Sequence, residues 1–328
     1  MLDRGDRPFI RLRGRPDRRV IDAAARLADR FDLNVTFGIP SEDNVLLTVD
    51  HRRTGAPEGY RLQCNAEGIS LQGRSAGLFY GLETVSRILQ QCDQWIPHVY
   101  IEDRPDFAHR GVMLDISRCK VPTLATLYSL IDRLAALKYN QIQLYTEHTF
   151  AFSGHERVWA DASPLTAADI TRIHEYCRQH FIELVPNLNS FGHFERWLRH
   201  PEYHRYAECP DGFTHPLSGE PIEIGSTLKP NRNSLNLLKS LYDELLPLFD
   251  ATAFNVGGDE PWDLGQGWSR RRCEEVGATR VYIEFLRRDP GTGGSPRAHD
   301  DVLERHRAQG TIVPRRAFRG CDRDELGL

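Results

Sequence analysis

Two adjacent carboxyl groups, Asp259 and Glu260, close the stretch AFNVGGDE. Buried together they cannot easily both be ionised, so burial and like charge should pull their pKa values apart. Such a pair suits chemistry in which one group gives a proton while the other stays negative. Gly257 and Gly258 allow a tight turn and close approach to a ligand. The bland alternative is an exposed acidic turn, and three more polar clusters, each following an apolar run, argue against it. These are Asp115 and Arg118 in LDISRCK, Glu147 and His148 in YTEHTF, and Asn187, Asn189 and His193 in NLNSFGH.

Each cluster has its own chemistry. Arg118 is either a partner for Asp115 or a fork of donors for sugar or carboxylate oxygens. Glu147 and His148 either line a cleft or belong to a simple loop. His193 can bond a carboxylate in the site floor and help set its charge. Trp262 and Trp268 follow the acidic pair; their faces either stack on pyranose rings or join the core. His148, His155, His193 and Asp259 could in principle converge on a metal, but no HxH or HExxH spacing supports that, and no metal or cofactor is expected. The glycine-rich phosphate loops and the GxSxG elbow do not occur.

The elements that must position these groups alternate. Gly111 to Ile116 suits a buried parallel strand. Pro122 and Thr123 open a helix with Leu124, Leu127, Ile131, Leu134 and Leu137 on its inner face, and Gln141 to Tyr145 is a second strand. Thr166 and Asp169 match a capping box, followed by Ile170, Ile173, Cys177 and Phe181 at helical spacing. Ile182 to Pro186 is a third strand, Leu235, Leu238, Leu241, Leu245 and Leu248 line another helix, and Ala253 to Val256 is a fourth strand. This alternation is the signature of a parallel α/β layout, either a (β/α)8 barrel or an open doubly wound sheet. In a barrel, chemistry sits at the carboxyl ends of the strands, and all four clusters fall there.

The first hundred residues read as a small α+β unit: a strand at Phe9 to Arg13, a helix over Pro16 to Phe31, short strands at Val45 to Val49, Tyr60 to Cys64 and Ile69 to Leu71, and a helix over Ala76 to Gln90. Pro16 should occupy the first turn, where its missing N–H costs little. A boundary falls at Ile101 to Phe107. We therefore expect an α+β domain over 1–104 and a catalytic domain over 105–288. Residues 289–328 hold seven Arg, six Gly and three Pro with little periodicity, and Thr311 to Val313 is the only candidate for a fifth strand. The tail is either a disordered extension or a non-native end following truncation or a frame shift after Arg288.

Composition sets the outer limits. Across 328 residues, 42 Lys and Arg face 46 Asp and Glu, for a net charge of -4, which is too balanced for a nucleic-acid scaffold. No stretch approaches about 18 consecutive apolar residues, so no membrane span is expected. The seven cysteines form no CxxC pair, and the N-terminus shows no apolar leader core, so reducing cytosol is the compartment expected. Oligomeric state is not written in the sequence.

Taken in order, RGVMLDISR, LVPNLNSFGH and FNVGGDE, preceded by YRLQCNAEGISLQGRSAGLFYGLETVSRIL, resemble glycoside hydrolase family 20, the β-N-acetylhexosaminidases, over about residues 8 to 288. The resemblance implies a small α+β N-terminal domain followed by a (β/α)8 TIM-barrel-type catalytic domain, here with about the first four β/α units. It implies removal of terminal β-linked N-acetylglucosamine or N-acetylgalactosamine with retention. Catalysis would be substrate-assisted, the family being an exception to the two-carboxylate rule. On this resemblance Glu260 is the general acid and then base, and Asp259 orients the acetamide. Arg118 binds sugar hydroxyls, and His193 belongs to the supporting network. Glu147 stands where the family carries paired aspartates, with His148 a departure, and Phe191 replaces a proline. Trp262 is a candidate sugar-stacking ring. The partner implied is an amino-sugar glycoconjugate. The rivals are an amino-sugar-binding remnant that does not cleave and a zinc-dependent barrel hydrolase.

Overall fold

The computed structural model describes residues 8–37, 45–52, 55–92, 96–118 and 120–290, with the backbone alone of 312–314. In chain order the elements are β1 (Phe9–Arg13), α1 (Arg18–Phe31), β2 (Asn34–Phe37), β3 (Val45–His51), β4 (Tyr60–Asn65), β5 (Gly68–Gly73), α2 (Ser75–Gln91) and β6 (Val99–Asp103). Next come β7 (Gly111–Asp115), α3 (Leu124–Ala136), β8 (Gln141–Tyr145), α4 (Glu156–Trp159), α5 (Ala167–Gln179), β9 (Glu183–Val185) and α6 (Glu195–Leu198). The chain continues through β10 (Phe213–Thr214), β11 (Pro221–Ile222), α7 (Arg232–Leu245), β12 (Ala253–Asn255), α8 (Arg270–Val276), α9 (Ala278–Arg288) and β13 (Ile312–Pro314). Two compact units result: one of Met1–Arg110, Tyr128–Asn140 and Tyr176–Ile182, the other of Gly111–Leu127, Gln141–Glu175 and Glu183–Leu328. Among the described residues no helix is long and apolar enough to cross a membrane.

The first unit carries a six-stranded sheet in the order β2-β1-β3-β5-β4-β6. β1 lies parallel to β2 and β3, β3 is parallel to β5, and β4 is antiparallel to β5 and β6. α1 starts at Arg18, two residues later than the helix expected from Pro16. Asp17 is the cap, its carboxylate accepting from the Arg19 N–H at 2.9 Å, so Pro16 stays outside the helix. β2 and β6 are missed by pattern reading, and β6 falls on the expected boundary. Both are edge strands with little buried surface, so neither needs the apolar run that makes an inner strand legible.

The second unit places β7, β8 and β9 side by side and parallel. β12 joins beside β9: Asn187 and Asn255 pair in parallel, the Leu188 N–H reaches the Asn255 carbonyl at 3.1 Å, and the Asn255 N–H reaches Pro186 at 3.0 Å. The order β7-β8-β9-β12 with helices between is that of four consecutive barrel units. β8 is buried along nearly its whole length, as a strand covered on both faces must be. β7 is not: its exposure alternates and Met113 is 44% exposed. The expectation of a buried strand fails there because, among the described residues, β7 pairs only with β8. The capping box at α5 is formed: the Thr166 N–H and hydroxyl reach Asp169 at 3.1 and 2.7 Å, and the Asp169 N–H reaches the Thr166 hydroxyl at 3.2 Å. Leu127, Ile131 and Leu134 of the α3 region are buried, but Leu137 lies past the helix end and is exposed.

The candidate fifth strand takes another role. Ile312–Pro314 runs antiparallel against β12, whereas the next strand of a barrel would run parallel. The rest of the irregular segment, 291–311 and 315–328, lies outside the described residues.

Candidate active site

Four strand ends deliver the polar side chains. Asp115 closes β7, and its Oδ1 accepts from the backbone N–H groups of Ser117 and Arg118 at 2.8 and 3.1 Å. That local turn folds Arg118 back, and its Nη1 donates to Asp115 Oδ2 at 2.7 Å. The other end of the guanidinium lies 3.1 Å from Glu147 Oε1. Glu147 follows β8, its N–H held by the Ser117 hydroxyl at 2.8 Å. His193 follows β9, and Asp259 and Glu260 follow β12.

These groups meet around one imidazole. His193 Nε2 lies 3.2 Å from Asp259 Oδ2 and 3.4 Å from Glu260 Oε2. On its other side, His193 Nδ1 lies 3.4 Å from Arg118 Nη2 and 3.7 Å from Glu147 Oε1. Arg118, Glu147, His193, Asp259 and Glu260, drawn from four separate strand ends, therefore form one cluster. The structure shows Arg118 as a partner for Asp115, and for Glu147 as well, with its side chain 51% exposed.

The electrostatics follow from this packing. Burial pushes the Glu147 carboxyl up, and the Tyr145 hydroxyl, His193 and Arg118 only partly offset it. Burial acts the same way on Asp259, but His193 outweighs it and holds Asp259 below the usual carboxylate range. Burial alone would lower His193; the charges of Asp259, Glu147 and Glu195 raise it instead. The Asp259 and Glu260 side chains are 39% and 51% exposed; burial is the largest single influence on Asp259, and the hydrogen bond and charge of His193 together overcome it.

Two of the six described non-glycine residues with left-handed backbone fall here. His193 and Glu260 have φ of 59° and 51°, a left-handed conformation that non-glycine residues adopt at a cost of about 1–3 kcal/mol. The two loops also touch. A Cβ on Gly192 would stand 2.2 Å from the Asp259 carbonyl oxygen, and one on Gly257 would stand 1.9 Å from Asn189 Oδ1.

The remaining candidates lie apart. The Trp262 ring sits 5.0 Å from that of His215, tilted 49°, and Trp268 is exposed, so neither is core. His155 packs on Trp197 and Tyr203. His148 is buried with Nδ1 unpartnered. Among the described residues, no three His, Cys, Asp or Glu side chains group to hold a metal.

Burial, reinforced by Arg196 and Arg199, lowers His148 from 6.5 to about 4. The unfolded chain takes up this proton near pH 6.5 while the folded chain resists until about 4, so stability falls as pH drops through that window. The drop in urea midpoint from pH 7 to pH 4.5 should be smaller in His148→Gln than in the parent protein. An equal drop would show that this imidazole carries none of it.

Sequence reasoning missed Tyr145, whose hydroxyl donates to Glu147 Oε1 at 2.9 Å and accepts from Asn189 Nδ2 at 2.7 Å. It also missed a polar layer beneath the site. Gln143 Oε1 accepts from Asn187 Nδ2 at 3.1 Å and Asn255 Nδ2 at 2.9 Å, and Asn255 Oδ1 accepts from the Gly257 N–H at 3.0 Å. The signal was polar residues at alternate positions in otherwise apolar strands.

Parallel β/α units that gather three carboxylates, an imidazole and a guanidinium at the strands' carboxyl ends have the layout of a barrel-type site. The chain belongs to glycosyl hydrolase family 20: the model of that family's catalytic domain matches residues 107–279, and that of its domain 2 matches residues 15–104. A Beta-hexosaminidase of Porphyromonas gingivalis is 27% identical over 270 residues, covering 72% of this chain and 34% of that protein. Beta-hexosaminidase subunit alpha of Mus musculus is 28% identical over 225 residues, covering 62% and 40%. The chain thus spans less than half the length of these curated relatives. Among solved structures, the GH20 beta-N-acetylhexosaminidase from Streptomyces coelicolor A3(2) superimposes with a TM-score of 0.67 at 24% identity, covering 87% of this chain and 60% of that one. The GH20 exo beta-N-acetylglucosaminidase from Vibrio harveyi gives 0.70 at 16%, covering 86% and 49%.

Proposed function

We propose that this site hydrolyses terminal β-linked N-acetylhexosamine with retention, by substrate-assisted catalysis. The observation that carries the reading is the shared imidazole: one oxygen from each of two adjacent carboxylates lies within 3.4 Å of His193 Nε2. Glu260, the more open of the two, gives its proton to the departing glycosidic oxygen. The anomeric C–O bond breaks as the 2-acetamido oxygen bonds to the anomeric carbon, forming an oxazolinium. Asp259, already an anion, accepts from the acetamide N–H and stabilises the positive charge that develops there. Water then adds to the anomeric carbon and returns a proton to Glu260, restoring the acetamide and the original configuration. Carrying the nucleophile on the substrate exploits proximity, worth up to about 7–11 kcal/mol in favourable cases. As Glu260 loses its proton, its new charge sits 3.4 Å from an imidazole whose surroundings favour the cation. The open edge of Arg118 binds ring hydroxyls, Glu147 steadies Arg118 and His193 from below, and Trp262 offers a ring for sugar stacking.

Release of nitrophenol from a 4-nitrophenyl N-acetyl-β-glucosaminide or galactosaminide tests the proposal, and no release from either would overturn it. The exposure of both carboxylates favours one second reading, a site that binds amino sugars without cleaving them. A cyclic thiazoline mimic of the intermediate bound by a protein with no turnover would favour that reading.

A further inference from the structure

The His193 loop and the Asp259–Glu260 loop come from different strands, so holding His193 Nε2 3.2 and 3.4 Å from the two carboxylates calls for a common anchor. Ser226 bonds to both. Its carbonyl accepts from the Phe194 N–H at 2.8 Å, next to His193. Its hydroxyl donates to Asp263 Oδ1 at 2.9 Å and its N–H to Asp263 Oδ2 at 3.3 Å, three residues past Glu260. Leu228 N–H adds a bond to the Phe191 carbonyl at 3.0 Å. Asp263 is fully buried, and among the described residues no Arg, Lys or His pairs with it, so N–H and O–H donors satisfy it alone. Glu208, equally buried, holds the far end of the same loop: its Oε1 accepts from the Ser269 hydroxyl at 2.6 Å and from the N–H groups of Ser269, Gly265 and Gly267 at 2.9, 3.3 and 3.3 Å. A buried acid kept without a cationic partner is costly, and a loop needing only shape could be filled with apolar residues.

Building on the proposed roles of Asp259 and Glu260, we infer that Asp263, gripped by Ser226, is a positioning residue that fixes the His193 loop against the loop carrying the reacting carboxylates. Both side chains are buried, away from the exposed carboxylates of Asp259 and Glu260. The latch acts by holding His193 Nε2 between the two carboxylate oxygens.

The test is a titration of His193 by NMR in histidine-labelled protein, its resonance identified by loss in His193→Gln, alongside kinetics where the parent protein turns over. Asp263→Asn keeps an acceptor for the Ser226 hydroxyl but sets an amide N–H2 against the Ser226 N–H. The His193 midpoint should move down toward the ordinary 6.5, with kcat lower by on the order of tenfold and KM changed less. Ser226→Ala, which loses the hydroxyl bond only, should give a smaller shift in the same direction. Tyr80→Phe, which removes a bond to Glu58 in the other unit, should leave the midpoint in place. An unmoved midpoint in both latch variants overturns the inference, and if Asp263→Asn does not fold, Ser226→Ala decides alone. A parent protein without turnover would count against the proposed hydrolysis while leaving the titration readable.

Discussion

Replacing Glu260 by Gln is expected to lower kcat on an N-acetyl-β-glucosaminide by about 10²–10⁴, the usual worth of a positioned general acid–base, and to leave thermal unfolding unchanged. The side chain is half exposed and among the described residues its one ion-pair contact is with His193, so the amide costs little in packing. It cannot give a proton to the departing oxygen or take one from water. Two controls sharpen the result. Substrates with a good leaving group need less protonation and should lose less in the first step. Asp259→Asn should also cripple the enzyme, but by removing the anion that faces the acetamide, and its losses should be greatest for N-acetylated substrates. A Glu260→Gln protein running near the parent rate would remove the acid/base assignment.

The second large effect should come from a single methyl group. In Gly192→Ala the new Cβ would stand 2.2 Å from the Asp259 carbonyl oxygen and about as close as 2.9 Å to that of Glu260. Backbone meets backbone here, so no side chain can rotate away. The strain of overpacking should lower stability by about 1–3 kcal/mol. The effect on rate should be larger in consequence, because relief requires the two loops to separate and the His193 contacts at 3.2 and 3.4 Å lengthen with them. Misplacement of a reacting group by 1 Å can cost on the order of 10²-fold. Calorimetry and steady-state kinetics on the same preparation check both halves, and a variant with parent-like kcat would show that the loops are not held by this contact.

Much of the architecture was readable because helices and inner strands announce themselves. The Thr166–Asp169 box, strand β8 and the α7 leucines Leu238, Leu241 and Leu245 each carry a local signal that the fold satisfies, whereas Leu235 is only partly buried and Leu248 lies past the helix end. Edge strands β2 and β6 carry none, since one face and one edge answer to solvent. The helical leucine pattern ran one residue too far at Leu137, because spacing alone does not say where a helix stops. At the site, the four strand-end clusters could be placed on one side from alternation alone. Their convergence on His193 could not, because residues as far apart in sequence as Arg118 and Glu260 meet only when the strands are laid in order. Tyr145 and the Gln143–Asn187–Asn255 layer were visible only as polar interruptions in apolar runs, and the latch between Ser226 and Asp263 lies in loops without periodicity.

The central claim is that the substrate's own acetamide attacks the anomeric carbon. It is tested most directly by comparing hydrolysis of 4-nitrophenyl β-glucosaminides whose N-acyl group carries none, one, two or three fluorines. Fluorine draws electrons from the acyl oxygen and weakens it as a nucleophile while leaving Glu260 and the leaving group as they are. The account predicts that kcat falls steeply with each fluorine and that the sugar first released is the β-anomer. A rate indifferent to fluorination, or an α-anomer as first product, would contradict it.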